Sequence, residues 1–159
     1  MNRRNILQTM LMGGAATLLG CSPAPAAKTF AVTHTEAEWR RILSPSGYHI
    51  MREQGTEYPN TSPLLNEHRK GTFLCAGCDL ALFSSDTKFE SGTGWPSFFR
   101  ALPHGVETTT DNSYMMERTE VHCSRCGGHL GHLFNDGPQP TGLRYCMDGV
   151  ALKFKPAVA

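Results

Sequence analysis

The sequence of 159 residues lacks an excess of charge of either sign, because 15 Lys and Arg residues are balanced by 14 Asp and Glu residues. It also lacks any run of Lys or Arg, so we expect no broad cationic surface and no nucleic-acid partner. Internal repeats of solenoid length and low-complexity blocks are absent as well. An apolar fraction of 40% with a charged fraction of 18% excludes an intrinsically disordered chain and indicates one folded domain.

The apolar stretch from Met10 to Gly20 is shorter than the roughly 20 residues that a membrane-spanning helix needs. It follows Arg3-Arg4, and the two together have the basic and apolar regions of an export signal. The paired arginines resemble a twin-arginine signal, which exports proteins that have already folded. We therefore predict an export signal and tether over residues 1–27 and a folded domain over residues 28–159.

Cys21 follows Leu18-Leu19-Gly20, a segment that resembles the lipobox of bacterial lipoproteins. In such proteins the Cys is lipidated and becomes the first mature residue. Two alternatives stay open: a later cleavage near Ala24-Pro25-Ala26, or a short cytosolic helix. The prediction is an exported protein, periplasmic or anchored on the outer side of the bacterial inner membrane, with membrane contact only through a lipid anchor on Cys21.

The patterns within the domain predict a mainly β fold with a small helical N-terminal part. Thr35 and Glu38 form a capping box for one helix, and Ser44-Pro45 begins a second that Gly55 closes. Asp111-Asn112-Ser113 is typical of a hairpin tip. Short strands without intervening helices favour antiparallel sheets. The predicted strands are 72–75, 80–84, 97–101, 106–110, 114–122, 130–134, 142–147 and 151–155.

Four of the six cysteines form two C-x-x-C pairs, Cys75 with Cys78 and Cys123 with Cys126. Four thiolates on two short turns suit a tetrahedral Zn²⁺, and a site closed by four cysteines is structural and not catalytic. Glycines in these turns suit backbone with positive φ. Disulfides remain an alternative in an exported protein. A thioredoxin-like redox pair is another, although it needs a βαβ setting that the sequence does not suggest.

Cys146 is the remaining cysteine of the domain. If residues 142–147 form a strand, Arg144, Cys146 and Asp148 share one face because side chains alternate along a strand. A guanidinium beside a thiol lowers its pKa and favours the reactive thiolate. The alternative is a buried, inert cysteine that packs as a small hydrophobe.

Two further segments could complete a site around Cys146. His129 and His132 each carry an imidazole that gives or takes a proton near neutral pH. The segment from Gly94 to Phe99 supplies an aromatic patch that includes Trp95. Taken alone, the histidines could equally be surface residues, and the aromatic patch could be core or a turn anchor.

The chain resembles the methionine-R-sulfoxide reductases, the MsrB family, from about Trp39 to Phe154. The resemblance is carried by an ordered series of blocks: Tyr48-His49, Glu53 to Glu57, Cys75 to Leu80, Phe83 to Ser85, Ser91 to Phe98, Glu120 to Cys123, His129 to Pro138 and Arg144 to Cys146. It implies an Mss4-like fold of two antiparallel sheets, one structural zinc ion per chain, and Cys146 as the nucleophile.

The resemblance also implies a role for each site residue. Cys146, activated by Arg144, would attack the sulfur of oxidised methionine in proteins or peptides, and His132 with His129 would protonate the leaving oxygen. Asp148 is included with this catalytic set. The substrate-binding residues would be Trp95, which packs on the methyl group, Phe134, and Asp136, which together with Arg144 supports the site. The resulting sulfenic acid would be reduced by a thioredoxin-like or other thiol donor, and the protein would be a monomer.

The sequence departs from the common form of the family at two positions. Many members carry a second, resolving cysteine where this chain has Thr93, so we expect an external thiol to reduce Cys146 directly. Many members also carry Asn where this chain has Asp148. An ionised Asp cannot donate a hydrogen bond as Asn does, so Asp148 is either protonated with substrate bound or orients a histidine.

Two rival functions remain at the level of sequence. The first is a zinc-ribbon binding module without catalysis, which would have no need of Cys146 and the two histidines. The second is a thiol–disulfide exchanger that uses one of the C-x-x-C pairs, which requires that its thiols be free of metal.

Overall fold

The computed structural model describes residues 28–158. Within that range the chain forms two short α-helices followed by nine strands. The helices are α1 (Glu36–Ile42) and α2 (Pro45–Glu53); the strands are β1 (Gly71–Cys75), β2 (Ala81–Ser84), β3 (Lys88–Phe89), β4 (Ser97–Phe98), β5 (Val106–Asp111), β6 (Arg118–Cys123), β7 (His129–Phe134), β8 (Arg144–Met147) and β9 (Leu152–Pro156). The predicted mainly β fold with a helical N-terminal part is confirmed.

The strands form two antiparallel sheets. The smaller sheet has the order β2-β1-β9, and the larger has the order β3-β4-β8-β7-β6-β5. β8 lies inside the larger sheet, between β4 and β7, so its side chains have neighbours on both flanks. This arrangement agrees with the two antiparallel sheets that the resemblance implied.

Both helices begin where their capping residues predict. The Thr35 side chain accepts a hydrogen bond from the Glu38 backbone N–H, and the Glu38 carboxylate accepts one from the Thr35 backbone N–H, which completes the capping box. Ser44 caps α2 in the same way. The end of α2 differs from the expectation, because Gln54 and not Gly55 takes the left-handed conformation.

All eight predicted strands are present, with shifted ends. The strand predicted over 97–101 ends at Phe98. The strand predicted over 114–122 begins only at Arg118, since a 3₁₀ turn occupies Ser113–Met115. The two-residue strand β3 has no periodicity to reveal it and was not predicted.

A cluster of phenylalanines joins the two sheets. Phe73 of β1 and Phe83 of β2 both pack on Phe98 of β4, with ring centroids 4.8 and 4.3 Å apart. All three side chains are fully buried, and burial of each contributes about 1.5–3 kcal/mol. This cluster places β4, and with it one flank of β8, against the smaller sheet.

No helix within residues 28–158 is long and apolar enough to cross a membrane. The predicted export signal, the tether and Cys21 lie outside the described residues.

Candidate active site

Cys146 lies at the centre of β8 and has one cross-strand partner on each flank. Ser97 of β4 stands opposite it on one side and His132 of β7 on the other. Side chains of directly opposed residues point to the same face of a sheet, about 4.5–5.5 Å apart at Cβ. The thiol, an imidazole and a hydroxyl are therefore aligned across three strands.

A β-bulge brings the second histidine to the same face. Residues three apart on a regular strand point to opposite faces, yet the rings of His129 and His132 lie 5.3 Å apart. The pairing shifts by one residue between Val121 and His122, so that β7 carries one extra residue there. Gly131 makes this possible, since at φ 144° a side chain would collide with the Cys146 carbonyl.

Each histidine is held by a carboxylate. His129 donates through Nδ1 to Glu120 Oε1 at 2.7 Å, and His132 donates through Nε2 to Asp111 Oδ2 at 2.9 Å. Burial lowers the pKa of His132. The Nε2 atom of His129 has no hydrogen-bond partner and lies 4.0 Å from Asp148 Oδ2. Each imidazole is thus fixed in orientation, and Nε2 of His129 is buried without a hydrogen-bond partner.

Arg144 is fixed by a bidentate ion pair and an aromatic ring. Its Nε and Nη2 each donate to an oxygen of Asp136 at 2.8 Å, and its guanidinium lies 4.2 Å from the centre of the Phe134 ring. It is close enough to Cys146 for their charges to interact. Asp136 was predicted to bind substrate; its side chain is largely exposed and its contact is with Arg144.

Asp148 is buried and tied to a segment distant in sequence. Its Oδ1 accepts a hydrogen bond from the Glu57 N–H at 2.8 Å. The Glu57 carbonyl accepts from the Trp95 indole at 3.1 Å, and the Glu57 carboxylate accepts from the N–H groups of Gly149 and Val150. Glu57 therefore positions both Trp95 and Asp148. Burial raises the pKa of Asp148 to about 6.

The environment of Cys146 differs from the simple expectation of a thiol activated by arginine. Burial raises the pKa of the Cys146 thiol, and this effect outweighs the lowering by Thr93, Arg144 and Ser97. The nearby Asp148 carboxyl raises it further. The thiolate is the reactive form of a cysteine, so the site must contain hydrogen-bond donors that stabilise the thiolate.

These side chains surround an open pocket of about 150 Å³, the room of roughly five water molecules. Of the predicted site residues, Cys146, His132, Trp95, Phe134 and Asp148 line it, whereas His129, Arg144 and Asp136 lie outside its lining. Thr56, Gly131 and Arg118 complete the wall. Arg118 also donates to Asp111 and Ser113, at 2.6 and 3.0 Å.

The sequence reasoning gave no role to Glu57, Asp111, Glu120 or Arg118. Glu57 and Glu120 belong to blocks that carry the family resemblance, which was the one available signal. Asp111 was interpreted only as part of a turn, because nothing local shows that β5 places its carboxylate beside His132.

The four cysteines predicted to bind zinc form one cluster. Their sulfur atoms all lie within 4.8 Å of one another, with Cys75 and Cys126 at 3.6 Å and Cys78 and Cys123 at 3.5 Å. Tetrahedral zinc with Zn–S bonds near 2.3 Å places sulfurs roughly 3.8 Å apart. Three of the four cysteines are buried, so the cluster has the closed character of a structural site.

The electrostatics of the cluster also fit a cation. Hydrogen bonding among the sulfurs raises the pKa of Cys75 and Cys126 and lowers the pKa of Cys78 and Cys123, so without a cation protons are shared within the cluster. Zn²⁺ replaces these protons and compensates the thiolate charges. Of the turn glycines, only Gly127 has positive φ. Gly77 and Gly128 instead leave room for Trp39 and Met51 of the helices.

Comparison with known proteins agrees with this geometry. Residues 43–156 match the SelR domain. Proteins named peptide methionine sulfoxide reductase MsrB are 52% identical in Leptospira interrogans and 54% identical in Methanosarcina barkeri. Each alignment covers 79% of this chain, and 97% and 89% of those proteins, respectively. The chain belongs to the MsrB family.

The SelR match includes β1 to β9, and so both sheets, the four-cysteine cluster and every residue of the pocket. The cysteine cluster is accordingly the structural zinc site of an MsrB fold, with one ion held by Cys75, Cys78, Cys123 and Cys126. Cys75 ends β1 of the smaller sheet and Cys123 ends β6 of the larger one, so a bound ion would join the two sheets.

The raised pKa of Asp148 predicts a pH-dependent stability gain for Asp148→Asn. The folded state holds this proton more tightly than the unfolded chain, so stability falls as pH rises from 3.8 through about 6. Asn cannot ionise and keeps an oxygen for the Glu57 N–H. We expect a gain of about 3 kcal/mol at pH 8 and roughly half of that at pH 5, measured by denaturant unfolding of zinc-loaded protein.

Asp136→Asn is the matched control. The ion pair with Arg144 lowers the pKa of Asp136, so this substitution should give no gain at pH 8. A gain for Asp148→Asn that does not change between pH 8 and pH 5 would contradict the assigned protonation.

Proposed function

We propose that this MsrB-family protein reduces methionine-R-sulfoxide, in proteins or peptides, to methionine. The observation that carries the proposal is the alignment of the Cys146 sulfur with His132 at a small pocket walled by Trp95 and Phe134. A methionine sulfoxide has an electrophilic sulfur, a basic oxygen and an apolar methyl group. The pocket offers a thiol for the sulfur, acids for the oxygen and an aromatic wall for the methyl group. The preference for the R epimer rests on family membership alone.

In the first step the Cys146 thiolate attacks the sulfoxide sulfur, and a proton from the imidazole pair goes to the sulfoxide oxygen. The S–O bond of the substrate breaks as that oxygen passes to Cys146. Methionine leaves, reduced by two electrons, and Cys146 is left as a sulfenic acid. Asp148 is a second acid at the pocket wall, since its raised pKa of about 6 keeps part of it protonated near neutral pH.

An external thiol completes the cycle. It attacks the sulfenic sulfur to give a mixed disulfide and water, and a second thiol of the donor then releases Cys146 as the free thiol. A thioredoxin-like dithiol supplies both. Within residues 28–158 the other cysteines all belong to the zinc cluster, and Thr93, at 3.7 Å from the Cys146 sulfur, stands where many family members have a resolving cysteine.

The assignment predicts complete loss of turnover in Cys146→Ser. Reduction of separated R and S epimers of a sulfoxide peptide, with dithiothreitol as donor, should show R-specific activity in the native chain and none in the variant. Zinc content serves as the control, because Cys146→Ser leaves the four-cysteine cluster intact and should still bind one ion per chain. Undiminished activity in the variant would overturn the assignment.

Direct reduction by an external thiol predicts a stable sulfenic acid after one turnover. Mass spectrometry of protein reacted with one equivalent of sulfoxide, without reductant, should find Cys146 as a sulfenic acid trapped by a dimedone probe. Thr93→Cys is the matched variant, and it should instead form a disulfide between positions 93 and 146. An intramolecular disulfide in the native chain would contradict this course.

We further propose that the protein is exported and repairs oxidised methionine in other exported proteins. The support is the sequence of residues 1–27 alone, with its paired arginines, apolar stretch and Cys21. If Cys21 carries lipid, fractionation of expressing bacteria should find the native chain with membranes and Cys21→Ser in the soluble periplasmic fraction. Identical soluble fractions for both would exclude the lipid anchor.

A further inference from the structure

A chain of three hydroxyl groups lies behind the nucleophile, on the side away from His132. The Thr93 hydroxyl is 3.7 Å from the Cys146 sulfur and 2.8 Å from the Ser91 hydroxyl. The Ser91 hydroxyl is 2.7 Å from that of Ser97, which in turn lies 3.1 Å from the Trp95 carbonyl oxygen. The chain therefore connects the reacting sulfur to a backbone acceptor without a gap.

The chain is held rigidly by the fold. Ser97 is fully buried in β4, directly opposite Cys146. Thr93 follows Gly92, whose positive φ of 72° bends the backbone so that the Thr93 N–H also approaches the Ser91 hydroxyl, at 3.4 Å. The Gly94 carbonyl accepts a hydrogen bond from the Asn60 N–H. The hydroxyls are therefore placed before any substrate arrives.

A hydroxyl both donates and accepts, so this chain can run in either direction. When Cys146 is a thiol, its S–H donates to Thr93, and donation continues through Ser91 and Ser97 to the Trp95 carbonyl. When Cys146 is ionised, all three hydroxyls can rotate so that Thr93 donates to the sulfur. The three contacts between side chains then keep their hydrogen bonds, and only the bond from Ser97 to the Trp95 carbonyl is lost.

We propose that Thr93, supported by Ser91 and Ser97, is a catalytic residue that holds Cys146 as the reactive thiolate by donating a hydrogen bond to its sulfur. Hydrogen bonds to a charged acceptor are stronger than those between neutral groups, and they stabilise the ion selectively. The proposal rests on the proposed function only in taking Cys146 as the nucleophile.

The charged groups around Cys146 do not by themselves stabilise its thiolate, so the Thr93 hydroxyl is still needed. Burial raises the pKa of Cys146, and Asp148 adds to that effect, while Arg144 opposes it with its charge partly committed to Asp136. Thr93 lowers the pKa of Cys146 more than Arg144 does. The other titratable groups that face the pocket are His132 of β7 and Arg118 of β6, with His129 adjacent.

The test is the pH dependence of Cys146 alkylation by iodoacetamide in the zinc-loaded full chain, followed by peptide mass spectrometry. This rate reports the thiolate and needs no sulfoxide. Thr93→Val keeps the shape of the side chain without its hydroxyl, and we expect it to raise the pKa of Cys146 by about one unit, with about tenfold slower alkylation at pH 7. Thr93→Ser should restore the native profile.

Two further variants complete the experiment. Ser91→Ala should raise the pKa of Cys146 by a smaller amount, because Thr93 loses its own donor but keeps its hydroxyl, and this variant carries the test if Thr93→Val fails to bind zinc. Thr72→Val, in β1 of the smaller sheet, is the matched control and should leave the profile unchanged.

An unchanged alkylation profile in both Thr93→Val and Ser91→Ala would overturn the proposal. Slower sulfoxide reduction in Thr93→Val with a native alkylation profile would overturn it too, since Thr93 would then act on the substrate. Failure of the proposed function would give a different result. The native chain would then reduce no sulfoxide, whatever the pH profile of its alkylation.

Discussion

The site depends on the register of three strands, β4, β8 and β7. Because Cys146 is directly opposite Ser97 on one side and His132 on the other, the thiol has hydroxyls on one flank and imidazoles on the other. A slip of one residue in either pairing would turn the flanking side chain to the opposite face of the sheet. The bulge in β7, permitted by Gly131, then adds His129 to the same face. The chemistry proposed for the pocket depends first on this register, because the register brings the reacting groups together.

Two features hold that register at a distance. The phenylalanine cluster packs β4 on the smaller sheet, and the zinc cluster ties the end of β1 to the end of β6. The first is a hydrophobic contact and the second, once zinc is bound, would be a set of metal–sulfur bonds, so a chelator should weaken only the second. Both join the same two sheets. A zinc ion bound by the four cysteines would therefore stabilise the arrangement of the sheets that carry the site.

The pocket combines burial with a small number of directed polar contacts. Burial alone favours the neutral forms of Cys146, His132 and Asp148, and the pKa of each moves in that direction. A buried acid with a raised pKa is well suited to donate a proton near neutral pH, whereas a nucleophile must be ionised. The structure meets these opposite needs with different neighbours: Asp148 faces the Glu57 backbone and His129, and Cys146 faces Thr93 and Arg144.

The sequence by itself determined what is local. The C-x-x-C pairs indicated the zinc ligands, since each pair presents two thiolates on one short turn, and the capping residues Thr35 and Ser44 indicated both helix starts. The family blocks indicated Cys146, Trp95 and the two histidines. Only the tertiary structure decided which of these meet. Glu57 reaches Asp148 across 91 positions and Asp111 reaches His132 across 21, and Ser91 joins Thr93 and Ser97 in one hydroxyl chain. Such contacts follow from strand register, a bulge and loop packing, which arise from the energy of the whole fold and leave no periodic pattern in the chain.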